Sequence, residues 1–203
     1  MAGRKRVRNP ASKEMILEAA ERVVSTRGPS HLTLDAVAAE AGISKGGLLY
    51  NFPSKQSLIE GMVLCHIDRF RQRFEALRSE KEGPNSVICA LIQARKASGI
   101  GRGTGLAILA GLAENPALLS PLRQEAREAL AEVRDNASDP RIATLIWLAI
   151  DGLEFLELLD ISPFDEAERR ELESIMADFI ETGCCPGGSA SAAASSGSGA
   201  GSS

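Results

Sequence analysis

Apolar positions recur three and four residues apart from the start of the chain. Ile16, Leu17, Ala20, Val23 and Val24 fall on one face and predict a first amphipathic helix over about 12–27, capped by Ser12 and stopped by Gly28-Pro29. Behind Thr33, a good cap, Leu34, Val37, Ala38 and Ala41 form the stripe of a short second helix. Gly42 follows it, where a positive φ is easiest without a Cβ. Ile43 inserts into the small core, Ser44 caps a third short helix, and Pro53 ends it. Ser54 opens a long fourth helix carrying Leu58, Ile59, Met62, Val63, Phe70, Phe74 and Leu77, closed by Gly83-Pro84. Helical spacing returns over about 86–97, 104–114, 116–136, 140–159 and 165–182. The breaks are the glycine run 99–105, Asn115-Pro116, Ser138-Asp139-Pro140 and Ser162-Pro163. About nine helices are expected, and no alternating β-branched run competes with them, so the fold class is all-α.

The 203 residues allow one domain, or a small one and a medium one. Four segments follow from the pattern: a basic arm at 1–9, a three-helix unit at 10–56, a helical body at 57–182, and a Gly/Ser/Ala tail at 183–203. Arm and tail have the composition of unstructured chain.

Net charge is −4, which argues against a nucleic-acid partner until its distribution is considered. Residues 1–55 hold nine Lys/Arg against five acids, a net of +4, whereas the remainder is at −8. A basic head on an acidic body suits a protein that meets phosphate at one end only. No apolar stretch reaches the roughly 20 residues needed to span a bilayer, and Arg4-Lys5-Arg6-Val7-Arg8 leads into a charged helix, unlike a signal peptide. Cys65, Cys89, Cys184 and Cys185 lack the density or spacing of a disulfide scaffold or zinc site, so the expected home is the reducing cytoplasm. No metal and no cofactor are expected. No Ser-His-Asp set, carboxylate dyad or P-loop is present, and Gly101-Arg-Gly103 lacks a third glycine at the right step for a dinucleotide fingerprint, so no enzyme is expected.

The strongest pattern is the helix, glycine turn and helix of residues 33–55, the arrangement that sets a recognition helix in a major groove. Such a helix needs a small or polar outer face and an anchored inner one. Ser44, Lys45, Gly46 and Gly47 present little bulk, Leu48 and Phe52 turn inward, and Tyr50 and Asn51 are left for DNA. Thr33 and Lys55, at two flanking helix starts, suit phosphate oxygens. The arm residues Arg4–Arg8 are placed to follow the backbone or enter the minor groove.

The run from Leu34 to Leu58, with its Tyr50-Asn51-Phe52-Pro53-Ser54-Lys55 junction, resembles the N-terminal domain of TetR-type transcriptional regulators over residues 12–62. Residues 63–182 are similar to that family in length and helical content only. Two positions depart from its pattern: Leu49 stands where Tyr is usual, and Asn51 where His is usual. Leu49 cannot hydrogen-bond a phosphate, so that contact is absent or passes to Tyr50, while Asn51 keeps a donor amide. The resemblance implies a homodimer formed through the last two helices, a palindromic double-stranded DNA operator, and a small-molecule effector that moves the fourth helix. A repressor released by a small, largely apolar molecule is the implied function, with an activator, or a ligand carrier without DNA function, as alternatives.

The effector residues nominated are Met62, His66, Phe70, Trp147 and Asp151. Met62, His66 and Phe70 span two turns of the fourth helix. Trp147 lies in an apolar run, 142–155, that the charged Asp151 and Glu154 interrupt. Each also has a plainer reading as core, salt bridge or solvated surface.

Overall fold

The computed structural model describes residues 13–80, 82–98 and 101–182, and among them all regular structure is helical. The helices are α1 (Lys13–Arg27), α2 (Leu34–Glu40), α3 (Lys45–Asn51), α4 (Lys55–Arg78), α5 (Ser86–Ser98), α6 (Arg102–Glu114), α7 (Leu119–Asn136), α8 (Pro140–Leu159) and α9 (Glu166–Thr182). Short 3-10 turns at Pro29–His31 and Pro116–Leu118 precede α2 and α7. The arm at 1–9, the Ser12 cap, and Cys184, Cys185 and the tail at 183–203 lie outside the described residues.

The first four helices start and stop for local reasons that the sequence carries. Thr33 Oγ1 accepts from Ala36 N at 3.1 Å, and Ser44 Oγ from Gly47 N at 3.2 Å. Ser54 and Ser57 exchange side chain-to-backbone hydrogen bonds, each at 3.0 Å, which fixes the entry to α4. Gly42 turns the chain out of α2 at φ 67°.

Ile16, Leu17, Ala20, Val23 and Val24 of α1 are buried with Val37, Ala38, Leu48, Phe52, Leu58, Ile59, Met62 and Val63. Ala107, Ile108 and Leu112 of α6 belong to this same core. The helical body therefore enters the core of the first four helices, with no seam at residue 56.

The expected loop over 99–105 is corrected at its far end, because α6 starts at Arg102 and Gly103 and Gly105 are helical. The reason lies in packing. A Cβ on Gly103 would stand 2.6 Å from the carbonyl oxygen of Val24, so α6 approaches the α1 backbone only through glycine. Gly111, one helical face along, is equally close to the Ile59 side chain. Residues 116–118 also differ from the single helix expected from 116: Asn115 Oδ1 accepts from Ala117 N at 3.2 Å and holds them in a tighter turn before α7.

Behind the head, α5 packs on α4 and α7, and α8 on α7 and α6. Asn136, at the end of α7, joins these layers. Its Oδ1 accepts from Val87 N at 2.9 Å and its Nδ2 donates to Gly83 O at 3.1 Å, capping α5 from another helix. The chain divides into two compact units at Pro163 and Phe164. The second unit holds α9, which begins with Asp165 Oδ1 accepting from Ala167 N and Glu168 N at 2.7 and 2.9 Å. No single helix among the described residues is long and apolar enough to cross a membrane.

Candidate nucleic-acid interface

Helix α3 is anchored from beneath and bare above. Leu48 is fully buried and Phe52 nearly so, while Tyr50, between them, is 88% exposed. The packing of Leu48 and Phe52 beneath leaves the Tyr50 ring in solvent. Leu49 is also exposed.

Gly46 and Gly47 open the helix, and the two differ in what surrounds them. A Cβ on Gly46 would meet nothing within 4 Å, whereas one on Gly47 would touch Ser44 Oγ at 3.4 Å. Nothing in the packing requires a glycine at 46. The space beside it is open to a ligand approaching the backbone.

The hydroxyls of Thr33 and Ser44 each accept a helix N–H, and each keeps its own O–H to donate outward. Lys45 Nζ sits 2.9 Å from Asp35 Oδ1 in an exposed ion pair that a phosphate can replace at small cost. Asn51 is more committed: its amide nitrogen donates to Gly47 O at 3.2 Å, within its own helix. Lys55 is exposed in the first turn of α4. Thr33, Ser44, Lys45, Gly46, Tyr50 and Lys55 are all exposed, and the Lys45–Asp35 pair joins the starts of α2 and α3.

Of the nominated effector residues, the structure separates Met62 from the rest. It is buried in the core shared with α1. Phe70 and Asp151 instead touch a polar cluster between α4, α5 and α8, His66 lies within reach of its charge, and Trp147 stands one turn before Asp151 on α8. At its centre is Arg95 of α5, which sequence reasoning missed. Arg95 Nη1 lies 2.7 Å from Asp151 Oδ1 and 3.0 Å from Glu154 Oε2, and its guanidinium carbon is 5.5 Å from the centre of the Phe70 ring. Phe70 in turn stacks with Phe74, ring centres 6.2 Å apart.

Burial raises the Asp151 carboxyl above its usual range, with Arg95 pulling the other way. Burial also lowers His66, helped by the charges of Arg95 and Arg69 and opposed by Glu21. His66 further lines an open crevice of about 630 Å³ bordered by Glu21, Arg69, Arg73 and Thr104. Across it Arg69 Nη1 pairs with Glu21 at 2.8 Å, joining α4 to α1.

Residues 16–62 match the family model described as bacterial regulatory proteins, tetR family. Residues 85–181 match the model for a tetracyclin repressor-like C-terminal domain. Among curated proteins, the nucleoid occlusion factor SlmA of Photobacterium profundum is 38% identical over 83 residues, 40% of this chain and 41% of that protein, so the chain spans about two fifths of that relative's length. Among solved structures, the multidrug binding protein EbrR complexed with ethidium is 25% identical with a TM-score of 0.57, covering 83% of this chain and 99% of that one. A TetR-family member from Streptomyces coelicolor A3 is 25% identical with a TM-score of 0.58, over 83% of this chain and 97% of that one.

Proposed function

The chain belongs to the TetR family of bacterial regulatory proteins, a transcriptional regulator with a DNA-binding helix-turn-helix, and from that premise we propose a cytoplasmic repressor that binds a palindromic operator as a homodimer and is released by a small, largely apolar effector. The observation that carries the DNA reading is the 88% exposure of Tyr50 on a helix anchored by the buried Leu48 and Phe52. Thr33, Ser44, Lys45, Gly46, Gly47, Tyr50, Asn51 and Lys55 are the proposed contacts. The role is that of a binding switch, with no catalytic step.

A second copy of the chain is supported by α8. Leu145, Leu148 and Phe155 are 62%, 60% and 51% exposed, and a Cβ on Gly152, between them on the same face, would meet nothing within 4 Å. An exposed apolar strip of this length on a helix suits a self-complementary interface. Two recognition helices related by a two-fold axis would then face successive major grooves, whose centres lie about 34–36 Å apart. For the effector, support comes from the half-buried cluster around Arg95 and from the similarity to EbrR, whose structure holds ethidium.

Selection from a random duplex library, followed by binding across a salt series, tests the reading. The expected product is an inverted repeat with half-sites one helical turn apart, bound with steep salt dependence and lost in Tyr50→Ala. Enrichment of sequences without two-fold symmetry would sink the dimeric operator. Absence of any retained duplex at moderate salt would sink the DNA role itself.

A further inference from the structure

Arg95 fills a place that has the composition of a cation site. An aromatic face from Phe70 on α4 and two carboxylates from Asp151 and Glu154 on α8 surround one guanidinium from α5. Aromatic faces and paired carboxylates are what recognise positive charge in partly desolvated surroundings. Two carboxylates against one guanidinium also leave the cluster with an excess of negative charge.

Arg95 uses only part of its hydrogen-bonding capacity there. Its Nε is buried without a hydrogen-bond partner. Its Nη1 donates an aligned hydrogen bond to Glu154, while Asp151 Oδ1, only 2.7 Å away, is held by charge alone. Trp147, one turn before Asp151 on α8, has a buried indole N–H that is likewise without a partner. A side chain that belonged there permanently would be expected to satisfy its own fork of donors.

We propose that Arg95 is an internal stand-in for the effector, and that the effector is a flat aromatic cation whose charge takes the Asp151 and Glu154 carboxylates while its ring takes the face of Phe70. Arg95, on a long flexible side chain, swings out as the ligand enters. A delocalised organic cation is largely apolar by area, so this deepens the effector reading above and rests on it. The exchange also has a route to DNA. Arg95 ties α4 to α5 and α8, and α4 carries at its other end the Gly61 that seats Phe52 of the head, where a Cβ would stand 2.6 Å from the ring.

Trp147 is the single tryptophan of the chain and reports on the site without a label. The full-length protein, free of DNA, is titrated at pH 8 with proflavine, a planar cation, and with acridine, the same ring system uncharged at that pH. Quenching of Trp147 gives the affinity. Proflavine is expected to bind at least tenfold more tightly than acridine, and Phe70→Leu and Asp151→Asn to weaken it at least tenfold. Arg95→Met, which removes the internal competitor, is expected to tighten proflavine binding at least fivefold, whereas Arg127→Met on the exposed face of α7 stays within twofold. Arg95→Lys keeps a charge on the carboxylates but loses the flat fork, so it tightens binding in the same sense even if Arg95→Met fails to fold.

Unchanged or weaker proflavine binding in the Arg95 variants overturns the proposal, as does equal affinity for acridine. Tighter binding in Arg127→Met as well reduces the effect to net charge and overturns it too. The titration contains no DNA and so tests the cation site alone; in a second measurement, with proflavine added to the operator complex, dye binding of the expected pattern without operator release counts against the regulatory reading alone. Operator binding intact with no dye binding counts against the cation site alone.

Discussion

Lys45 Nζ stands 2.9 Å from Asp35 Oδ1, so the cation at the head of the recognition helix is already paired within its own fold. Both side chains are more than half exposed, and such a pair contributes about 0.2–1 kcal/mol. Asp35→Asn is therefore expected to tighten operator binding, by up to about fivefold at low salt from the pair alone. Lys45→Ala should weaken it and lower the slope of log K against log salt by about 1. Fluorescence anisotropy across a salt series reads both, and an Asp35→Asn protein that binds less tightly would remove Lys45 from the contact list.

Glycines at 46 and 103 should respond to alanine in opposite directions. Gly103→Ala drives a Cβ toward the Val24 carbonyl oxygen, a backbone atom that cannot turn aside, and overpacking of this kind costs about 1–3 kcal/mol. Gly46→Ala meets open space inside a helix, where alanine is favoured over glycine by up to about 1 kcal/mol. Thermal melts should show a lower midpoint for the first and an equal or higher one for the second. Only the second should lose operator affinity while staying folded, and full affinity in it would mean that DNA does not approach the backbone there.

The exposed strip on α8 predicts a monomer on the introduction of charge. Leu148→Glu and Phe155→Glu place a carboxylate where two copies would meet, yet both positions are solvent-facing in the single chain. Analytical ultracentrifugation should report half the mass with unchanged helical content. A persistent dimer in the double variant would move the interface elsewhere.

His66 gives the fold a pH dependence with a definite sign. Burial, with Arg95 and Arg69 adding to it and Glu21 opposing, holds the folded imidazole below its ordinary value of 6.5. Below that pH the unfolded chain takes up the proton first, so stability falls as pH drops from about 6.5 toward the folded-state value and levels off beneath it. His66→Gln should flatten this part of the profile of melting temperature against pH. Identical slopes between pH 7 and 5 in the two proteins would show that the ring is solvated.

The head was legible because its signals are local. Thr33, Ser44 and Ser54 each cap within three residues of themselves, and the stripe of α1 repeats at helical spacing, so no long-range knowledge is needed. Arg95 was not legible for the opposite reason. It is an ordinary last-turn arginine on α5, and its partners lie 25 residues before it and 56 and 59 residues after it. Gly103 misled because glycine signals both a break and a close approach. Only the position of α1 distinguishes the two.

Ala107, Ile108 and Leu112 have a consequence for how such molecules can be recombined. The DNA-reading head is not a cassette. Grafted onto a foreign sensor, residues 13–62 would arrive with one wall of their core missing and with Val24 and Ile59 facing a helix that lacks the glycines they were shaped against. The transferable part is the head together with α6, two stretches of chain separated by about forty residues that must change owners together.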